Sequence, residues 1–207
     1  MSEVTGTVRG MTTGSLCTAR LRLDVPQESD RDGLFTIYGD PRVWTHFPTL
    51  RHTTPDRTEA MLDGWITAWG RDGLGPWIVR GLDDATVLGH AGCSLKAPGW
   101  WNLGYRFAAE THGRGLATEA ARVALAEANT VRPDVPVVAY LLEHNVASKR
   151  VADKLGLTLQ HRAHDHGNPD PSAVRLVYAD RALTEDELSA TLGRGPTAPS
   201  RTWTGRT

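Results

Sequence analysis

The chain has 207 residues, of which 40% are hydrophobic and 23% are charged, and its formal net charge at pH 7 is −1. This length and composition predict a soluble globular protein with one well-buried core. The near-balance of charge gives no general electrostatic reason to bind nucleic acid or an anionic membrane, so neither is expected as a partner.

Both ends of the chain are polar. Residues 1–17 contain several Gly and Thr and lack the apolar core of a signal peptide, so a flexible leader is expected there. Residues 194–207 are rich in Gly, Pro, Thr and Arg, which is typical of a disordered tail. These boundaries leave residues 18–190 as a single folded domain.

The expected location follows from membrane and secretion signals that the sequence lacks. No run approaches the ~18 apolar residues that span a bilayer, and the N-terminal stretch is not a secretion signal. The two cysteines, Cys17 and Cys93, have no metal-ligand spacing, and nothing argues for an oxidising compartment in which they would pair. We therefore predict a cytoplasmic protein.

The first half of the domain is predicted to be a strand, two helices and three strands. In the first strand, at 19–26, Leu21, Leu23 and Val25 alternate with polar residues. The second helix is expected to begin at Thr54-Pro55, since Thr favours the cap position and Pro the first turn. The predicted segments are a strand at 19–26, a helix at 28–40, a helix from 54, and strands at 75–81, 86–96 and 100–110.

The second half alternates helices and strands. A stripe of alanines after residue 115 predicts a helix that lies close to a sheet, and the continuous apolar run at 135–143 predicts a buried strand. A short helix at 145–156 and two closing strands at 157–165 and 173–180 complete the domain. The resulting order, β-α-α-β-β-β-α-β-α-β-β, predicts an α/β fold with a mixed sheet and helices packed on it.

The stretch "HGRGLATEAA" (112–121) is the first candidate for function. A strand that turns directly into a helix leaves unpaired N–H groups at the helix start, where the helix dipole favours an anion. Gly113 and Gly115 permit the positive φ of an anion-binding loop, and Arg114 adds a charge. A plain glycine-rich turn explains this segment equally well. A dinucleotide fingerprint is excluded by Thr118 in place of a third glycine, and the P-loop pattern is absent.

The stretch "NVASKRVADKLG" (145–156) is the second candidate. Asn145, Ser148 and Ala152 share one face of the predicted helix. The ordered pair "LGYRFAAETHGRGLATEA" and "NVASKRVADKLGL" resembles the GNAT superfamily of N-acetyltransferases. It is most similar to the RimJ/RimL-like branch, the ribosomal-protein N-terminal acetyltransferases. The resemblance covers about residues 18–182.

The resemblance implies a GNAT acyl-CoA N-acyltransferase fold, a twisted mixed sheet of about seven strands with a splayed parallel pair. Acetyl-CoA would fill the gap, with its diphosphate on the loop N–H groups and its arm along one splayed strand, whose N–H groups can hold the thioester carbonyl. His112 departs from the family's usual Gln or Arg. Asn145 is a cofactor contact, a helix N-cap, or both. The implied cofactor-binding residues are Tyr105, Phe107, His112, Gly113, Arg114, Gly115, Leu116, Ala117, Thr118, Asn145 and Ser148.

The implied reaction is direct attack of a primary amine, from a protein N-terminus or a small molecule, on the acetyl group. Many relatives use a tyrosine as the acid at the position of Ala152, so Ser148 is the candidate acid here, although it also suits a CoA contact. The candidate bases are Glu143, His144, His161, His164, Asp165 and His166. No metal is expected, and Glu110 and Glu119 are interpreted as loop and helix-start charges.

The acceptor side is expected near the first helices and the closing strands. Aromatic residues there either enclose the amine or belong to the core, and the core is favoured for Trp65 and Trp69. Trp100 and Trp101 cannot both face inward on one strand. The other candidates are Trp44, His46 and Phe47. The alternative function is a catalytically silent CoA-binding regulatory module. A homodimer is expected, because the resemblance implies relatives in which a dimer is common.

Overall fold

The structure, a computed structural model, describes residues 9–12, 15–97, 99–166 and 168–193. The strands formed by these residues are β1 (Arg9–Thr12), β2 (Ser15–Cys17), β3 (Leu21–Asp24), β4 (Pro76–Gly81), β5 (Val87–Lys96), β6 (Trp100–Phe107), β7 (Val137–Leu142), β8 (Thr158–His164) and β9 (Val174–Ala179). The helices are α1 (Arg31–Tyr38), α2 (Pro55–Asp72), α3 (Leu116–Val131), α4 (Val146–Lys154) and α5 (Glu185–Thr191).

The strands form one mixed sheet in the order β1-β2-β3-β4-β5-β6-β7-β9-β8. Every neighbouring pair is antiparallel except β6 and β7, which are parallel. This confirms the predicted mixed sheet with one parallel pair and flanking helices. From β3 to β9, the strands and helices also follow one another along the chain in the predicted order.

The sheet has two strands more than the expected seven, and both lie in the segment predicted to be a leader. In β2, Leu16 is buried and pairs in register with Leu23 of β3. The polar, Gly- and Thr-rich composition of residues 1–17 concealed this short strand, in which Leu16 is buried between two partly exposed residues. The expected tail at 194–207 lies outside the described residues.

Helices cover both faces of the sheet. On one face, α3 packs directly on β5 and β6, where Ala120, Ala124 and Ala128 have no exposed surface. Helix α4 shares this main core through Ala152. The opposite face carries a second core, in which Ile78 of β4 packs against α1 and α2. The alanine stripe therefore acts as predicted, letting the helix lie close to the strands.

The parallel pair separates soon after it begins. Strands β6 and β7 are in register only at Trp101 with Val137 and at Asn102 with Val138. Beyond these residues each strand remains paired on its outer side, β6 with β5 as far as Phe107 and β7 with β9 as far as Leu142. The inner edges therefore face each other across a gap, with backbone groups available to a ligand.

Helix α5 follows the last strand and was not predicted. Thr184 accepts a hydrogen bond from the N–H of Glu187, whose carboxylate accepts one from the backbone N–H of Thr184. This short pattern is visible in the sequence "TEDE". The helix runs to Thr191, one residue past the expected boundary at 190. None of the helices described combines the length and hydrophobicity needed to cross a membrane.

Candidate functional site

The glycine loop between β6 and α3 has the geometry of an anion site. Gly113 and Gly115 have φ angles of 76° and 78°, a region that L side chains rarely adopt. Gly115 is the N-cap of α3, and no side chain caps this helix. The first N–H groups of α3, from Leu116 to Thr118, therefore remain available at the positive end of the helix dipole.

The loop is held in place by residues of the turn between β2 and β3. Arg20 donates a hydrogen bond to the carbonyl oxygen of Arg114 at 3.0 Å and pairs with Glu119 at 2.6 Å. Thr18 donates to the same carboxylate at 2.6 Å. Glu110 pairs instead with Arg42, at 2.5 Å. Both carboxylates thus make the contacts expected of loop and helix-start charges.

A cleft of about 410 Å³, called here the loop cleft, opens beside these N–H groups. It is bounded by the loop, β6, α4 and the segment 42–46. All the predicted cofactor-binding residues line it except Arg114. The carbonyl oxygen of Arg114 is engaged by Arg20, and its side chain is exposed.

The N-terminus of α4 forms the opposite wall of the loop cleft. The side-chain oxygen of Asn145 accepts a hydrogen bond from the N–H of Ser148 at 3.1 Å, so Asn145 is a helix N-cap. Its amide nitrogen remains available to a ligand. The hydroxyl of Tyr105 donates to the carbonyl oxygen of Ser148 at 3.3 Å. Burial raises the pKa of Tyr105 to about 12, so this hydroxyl keeps its proton at neutral pH.

A second cavity, called here the sheet-face pocket, has a volume of about 360 Å³. It shares five residues with the loop cleft, so the two cavities meet at the gap between β6 and β7: His46, Tyr105, Arg106, Asn145 and Ser148. The remaining walls include Tyr38 and His90 on the side of α1 and α2. The site is therefore open from both faces of the sheet.

The imidazoles of the sheet-face pocket are uncharged at neutral pH. Burial, followed by the charge of Arg106, lowers the pKa of His90 to about 3 and that of His46 to about 4. His90 is hydrogen-bonded to the Tyr38 hydroxyl at 2.7 Å. Burial also raises the pKa of Tyr38 to about 12. The pocket thus places neutral imidazole and phenol groups beside Arg106, and its other ionisable lining residues include the pair Asp165 and Arg175.

Two of the predicted bases, Glu143 and His144, line neither cavity. Glu143 forms a bidentate ion pair with Arg162, with distances of 2.7 and 2.8 Å, and Arg162 holds the pKa of this carboxyl below its usual range. His144 contacts the carbonyl oxygen of His46 at 2.9 Å. Both residues precede α4, but their contacts with Arg162 and His46 hold them outside the two cavities.

The histidine-rich strand β8 contributes little to the site. Asp165 lines the sheet-face pocket, where Arg175 pairs with it at 2.5 Å. His164 bonds to the carbonyl oxygen of Pro171 and packs against His166. His161 lines neither cavity. Within the described ranges, no three His, Cys, Asp or Glu side chains are grouped to hold a metal ion.

Most of the candidate aromatic residues belong to the two cores. Trp101 is fully buried, whereas Trp100 is only half-buried, as expected for adjacent strand positions. Trp65 and Trp69 pack against the cores, as favoured. Of the seven residues expected near the acceptor, His46 and Phe47 line the sheet-face pocket.

Sequence reasoning missed several cationic residues that line the loop cleft. Arg150 and Lys154 occur one helical turn apart on α4, and neither forms an ion pair with a residue that the structure describes. Arg42 reaches the same cleft from a distant segment. The i, i+4 spacing of the first two was a readable signal. Nothing local in the sequence indicates the approach of Arg42.

Comparison with known proteins identifies the family. A family model described as an acetyltransferase (GNAT) domain matches residues 20–158. A protein of Bacillus subtilis (strain 168), YkkB, is 29% identical over 150 residues, which cover 69% of this chain and 84% of that protein.

Solved structures share the fold. A GNAT-family acetyltransferase structure from Bordetella pertussis has a TM-score of 0.66 at 23% identity, covering 80% of this chain and 98% of that one. The RimL ribosomal L7/L12 α-N-protein acetyltransferase, solved with coenzyme A, has a TM-score of 0.65 at 20% identity. That match covers 79% of this chain and 95% of the other.

Proposed function

We propose that this chain, which belongs to the acetyltransferase (GNAT) domain family, transfers the acetyl group of acetyl-CoA directly to a primary amine. One observation carries the proposal. The loop cleft, with its uncapped helix start, meets the sheet-face pocket at the gap between β6 and β7. A thioester entering from one face would there meet an amine entering from the other.

The loop cleft provides groups suited to each part of the carrier. The N–H groups of residues 115–118 would hold the diphosphate, and the unpaired cations Arg150 and Lys154 would meet phosphate oxygens. The free edge of β6 after Asn102 would bind the pantetheine arm, with the amide of Asn145 as a further donor. A backbone N–H of β6 would stabilise the oxyanion that forms on the acetyl carbonyl.

The reaction moves one acyl group and one proton. The amine nitrogen forms a bond to the acetyl carbon, the carbon–sulfur bond breaks, and the thiolate takes up a proton. Ser148 and Tyr105 each place a hydroxyl on the walls shared by both cavities. The neutral imidazole of His46 also lies on those walls, and we propose that it accepts a hydrogen bond from the attacking amine and takes its proton only after the nitrogen has bonded to the acetyl carbon.

Two finer assignments, the RimJ/RimL-like branch and the homodimer, rest on the sequence resemblance. A third, the cytoplasmic location, rests on the sequence signals for secretion and membrane insertion considered above. The acceptors considered are a protein N-terminus, an amino acid, a polyamine and an aminoglycoside. The motif pair supports the branch, while a structural neighbour at 20% identity supports only the fold.

The alternative is a CoA-binding module without transfer activity. It is favoured by Ala152, which stands where many relatives have a tyrosine and is buried on the side of α4 that faces the main core. A screen of amine acceptors with acetyl-CoA, read by thiol release, separates the two functions. Thiol release that depends on an acceptor supports transfer, and binding of acetyl-CoA without release under any acceptor would establish the module.

The position of the diphosphate is tested by Gly115→Glu. A carboxylate there adds a negative charge beside the N–H groups, so calorimetric titration should show complete loss of acetyl-CoA binding. Gly73→Glu is a matched control, because Gly73 also has a positive φ, 70°, and open space around it, at the far end of α2. Equal affinity in the two variants would reject the loop as the diphosphate site.

A further inference from the structure

Arg106 is a partly buried cation without a carboxylate partner among the described residues. Its guanidinium lies 3.4 Å from the ring centre of Trp44 and donates one hydrogen bond, of 2.7 Å, to the carbonyl oxygen of Val43. Loss of hydration lowers the pKa of Arg106 from its ordinary value. A guanidinium has five N–H donors, so most of its donors are left for the cavities that it lines.

Arg106 faces the acceptor side of the sheet. Along β6, Leu103, Tyr105 and Phe107 pack towards the main core under α3. Strand alternation therefore directs Arg106 to the opposite face, beside its cross-strand neighbour His90. Both residues line the sheet-face pocket, which has the volume of a small-molecule site.

The charges around the sheet-face pocket leave Arg106 uncompensated. Asp165 is the one carboxylate among the described lining residues, and it is paired with Arg175. The histidines of the pocket are neutral at pH 7, and so are its tyrosines, since burial also raises the pKa of Tyr140. The pocket therefore carries about one net positive charge in a partly dehydrated setting, which opposes a polycationic acceptor and favours an anionic group.

We infer that Arg106 binds a carboxylate of the acceptor, so that the substrate is an amino acid or another small amine that carries a carboxylate. This inference rests on the proposed acetyl transfer. The planar fork of a guanidinium matches a carboxylate through two parallel hydrogen bonds. Arg106 also lies at the junction of the two cavities, so an amine on the same small molecule reaches the gap where the acetyl group would lie.

The test compares acceptors that differ in one charged group. Glycine is paired with glycinamide and β-alanine with β-alaninamide, at equal concentrations of free amine. Phosphoethanolamine is compared with ethanolamine to test for a phosphate in place of the carboxylate, and spermidine represents a polycationic acceptor. Wild-type kcat/KM should be at least about tenfold higher for each carboxylate than for its amide, and spermidine should be the poorest acceptor.

Variants of Arg106 test the assignment through the acid-to-amide ratio, which is measured within one protein and cancels partial loss of folding. Arg106→Gln should lower the ratio by roughly ten- to a hundredfold. Arg106→Lys keeps the charge but loses the planar fork of two N–H donors, so its acid-to-amide ratio should lie between those of the wild type and of Arg106→Gln. Arg71→Gln, an exposed arginine paired with Asp72 on α2, should leave the ratio unchanged.

Three outcomes would overturn the inference. If the wild type uses the acids and the amides equally, the inferred contact between Arg106 and a carboxylate is rejected, whereas the proposed acetyl transfer stands. If phosphoethanolamine is preferred to every carboxylate acceptor, the group that Arg106 binds is a phosphate and not a carboxylate. If no thiol is released with any of these acceptors or with those of the wider screen, the proposed transfer is rejected as well.

Discussion

Two residues with hydroxyl groups are the proposed donors of the proton that the departing thiolate takes up. Tyr105 and Ser148 line both cavities, and the Tyr105 hydroxyl donates to the backbone carbonyl of Ser148. The residue at 152 is alanine, so the acid used by many relatives is absent. Tyr105 comes from a different element than that missing tyrosine, yet it brings a protonated phenol to the same helix.

We expect Ser148→Ala to lower turnover more than it weakens acetyl-CoA binding, because an acid acts on the departing thiolate rather than on the bound carrier. Steady-state kinetics and calorimetry measure the two effects. Ser172→Ala, an exposed serine outside both cavities, is the control. Equal loss of turnover and affinity would reduce Ser148 to a cofactor contact.

Tyr105→Phe is the companion variant. If it lowers turnover and Ser148→Ala does not, the proton comes from the phenol. The sequence could not decide between these residues, since their proximity depends on the packing of α4 against β6. For the same reason it could not show that Glu143 is taken up by Arg162, which lies on another strand.

Helix α4 shows how one residue serves both an element and a site. Asn145 caps the helix with its oxygen, which leaves its amide nitrogen for a ligand. Thr184 caps α5 in a similar way, accepting a hydrogen bond from Glu187, but far along the chain from either cavity. The two helices therefore form a natural comparison between capping alone and capping with binding.

Asn145→Ala and Thr184→Ala should each cost about 1 kcal/mol of unfolding free energy, because each removes an N-cap. Only the change at Asn145 should weaken acetyl-CoA binding. Asn145→Ser restores a capping oxygen without the amide, so it should recover stability but not affinity. Denaturant unfolding and calorimetry measure both, and full recovery of affinity in the serine variant would show that the amide makes no contact.

At the level of elements, the sequence predicts most of the fold for physical reasons. Three local patterns each indicate which side of an element is buried: the alternation in β3, the apolar run of β7 and the alanine stripe of α3. Strands β1 and β2 were missed because they lie in a stretch rich in Gly and Thr, in which β2 contributes one buried residue, Leu16. The splay between β6 and β7 is a tertiary feature, and only the family resemblance predicts it.

Across the whole molecule, buried neutral histidines couple stability to pH. Burial lowers the pKa of His90 to about 3 and the pKa values of His46 and His52 to about 4, while an unfolded histidine titrates near 6.5. Between these values the unfolded chain binds protons that the folded chain excludes. Stability is therefore highest above pH 6.5 and falls as the pH drops towards 4.

His90→Gln should flatten this dependence, although it lowers stability at neutral pH. Its loss of unfolding free energy between pH 6.5 and pH 4.5 should be smaller than that of the wild type by about 2 kcal/mol. Tyr38→Phe removes the hydrogen bond to His90 but keeps the imidazole, so it should retain the wild-type slope. Urea denaturation at the two pH values measures all three proteins, and an unchanged slope in His90→Gln would contradict the account.

The most direct test of the central claim is a crystal structure of the protein with bound acetyl-CoA. We predict the diphosphate on the N–H groups of residues 115–118 and the acetyl carbonyl between β6 and β7, with the sheet-face pocket left open to an amine. Acetyl-CoA bound elsewhere, with the glycine loop empty, would contradict the assignment of the site and the proposed transfer that depends on it.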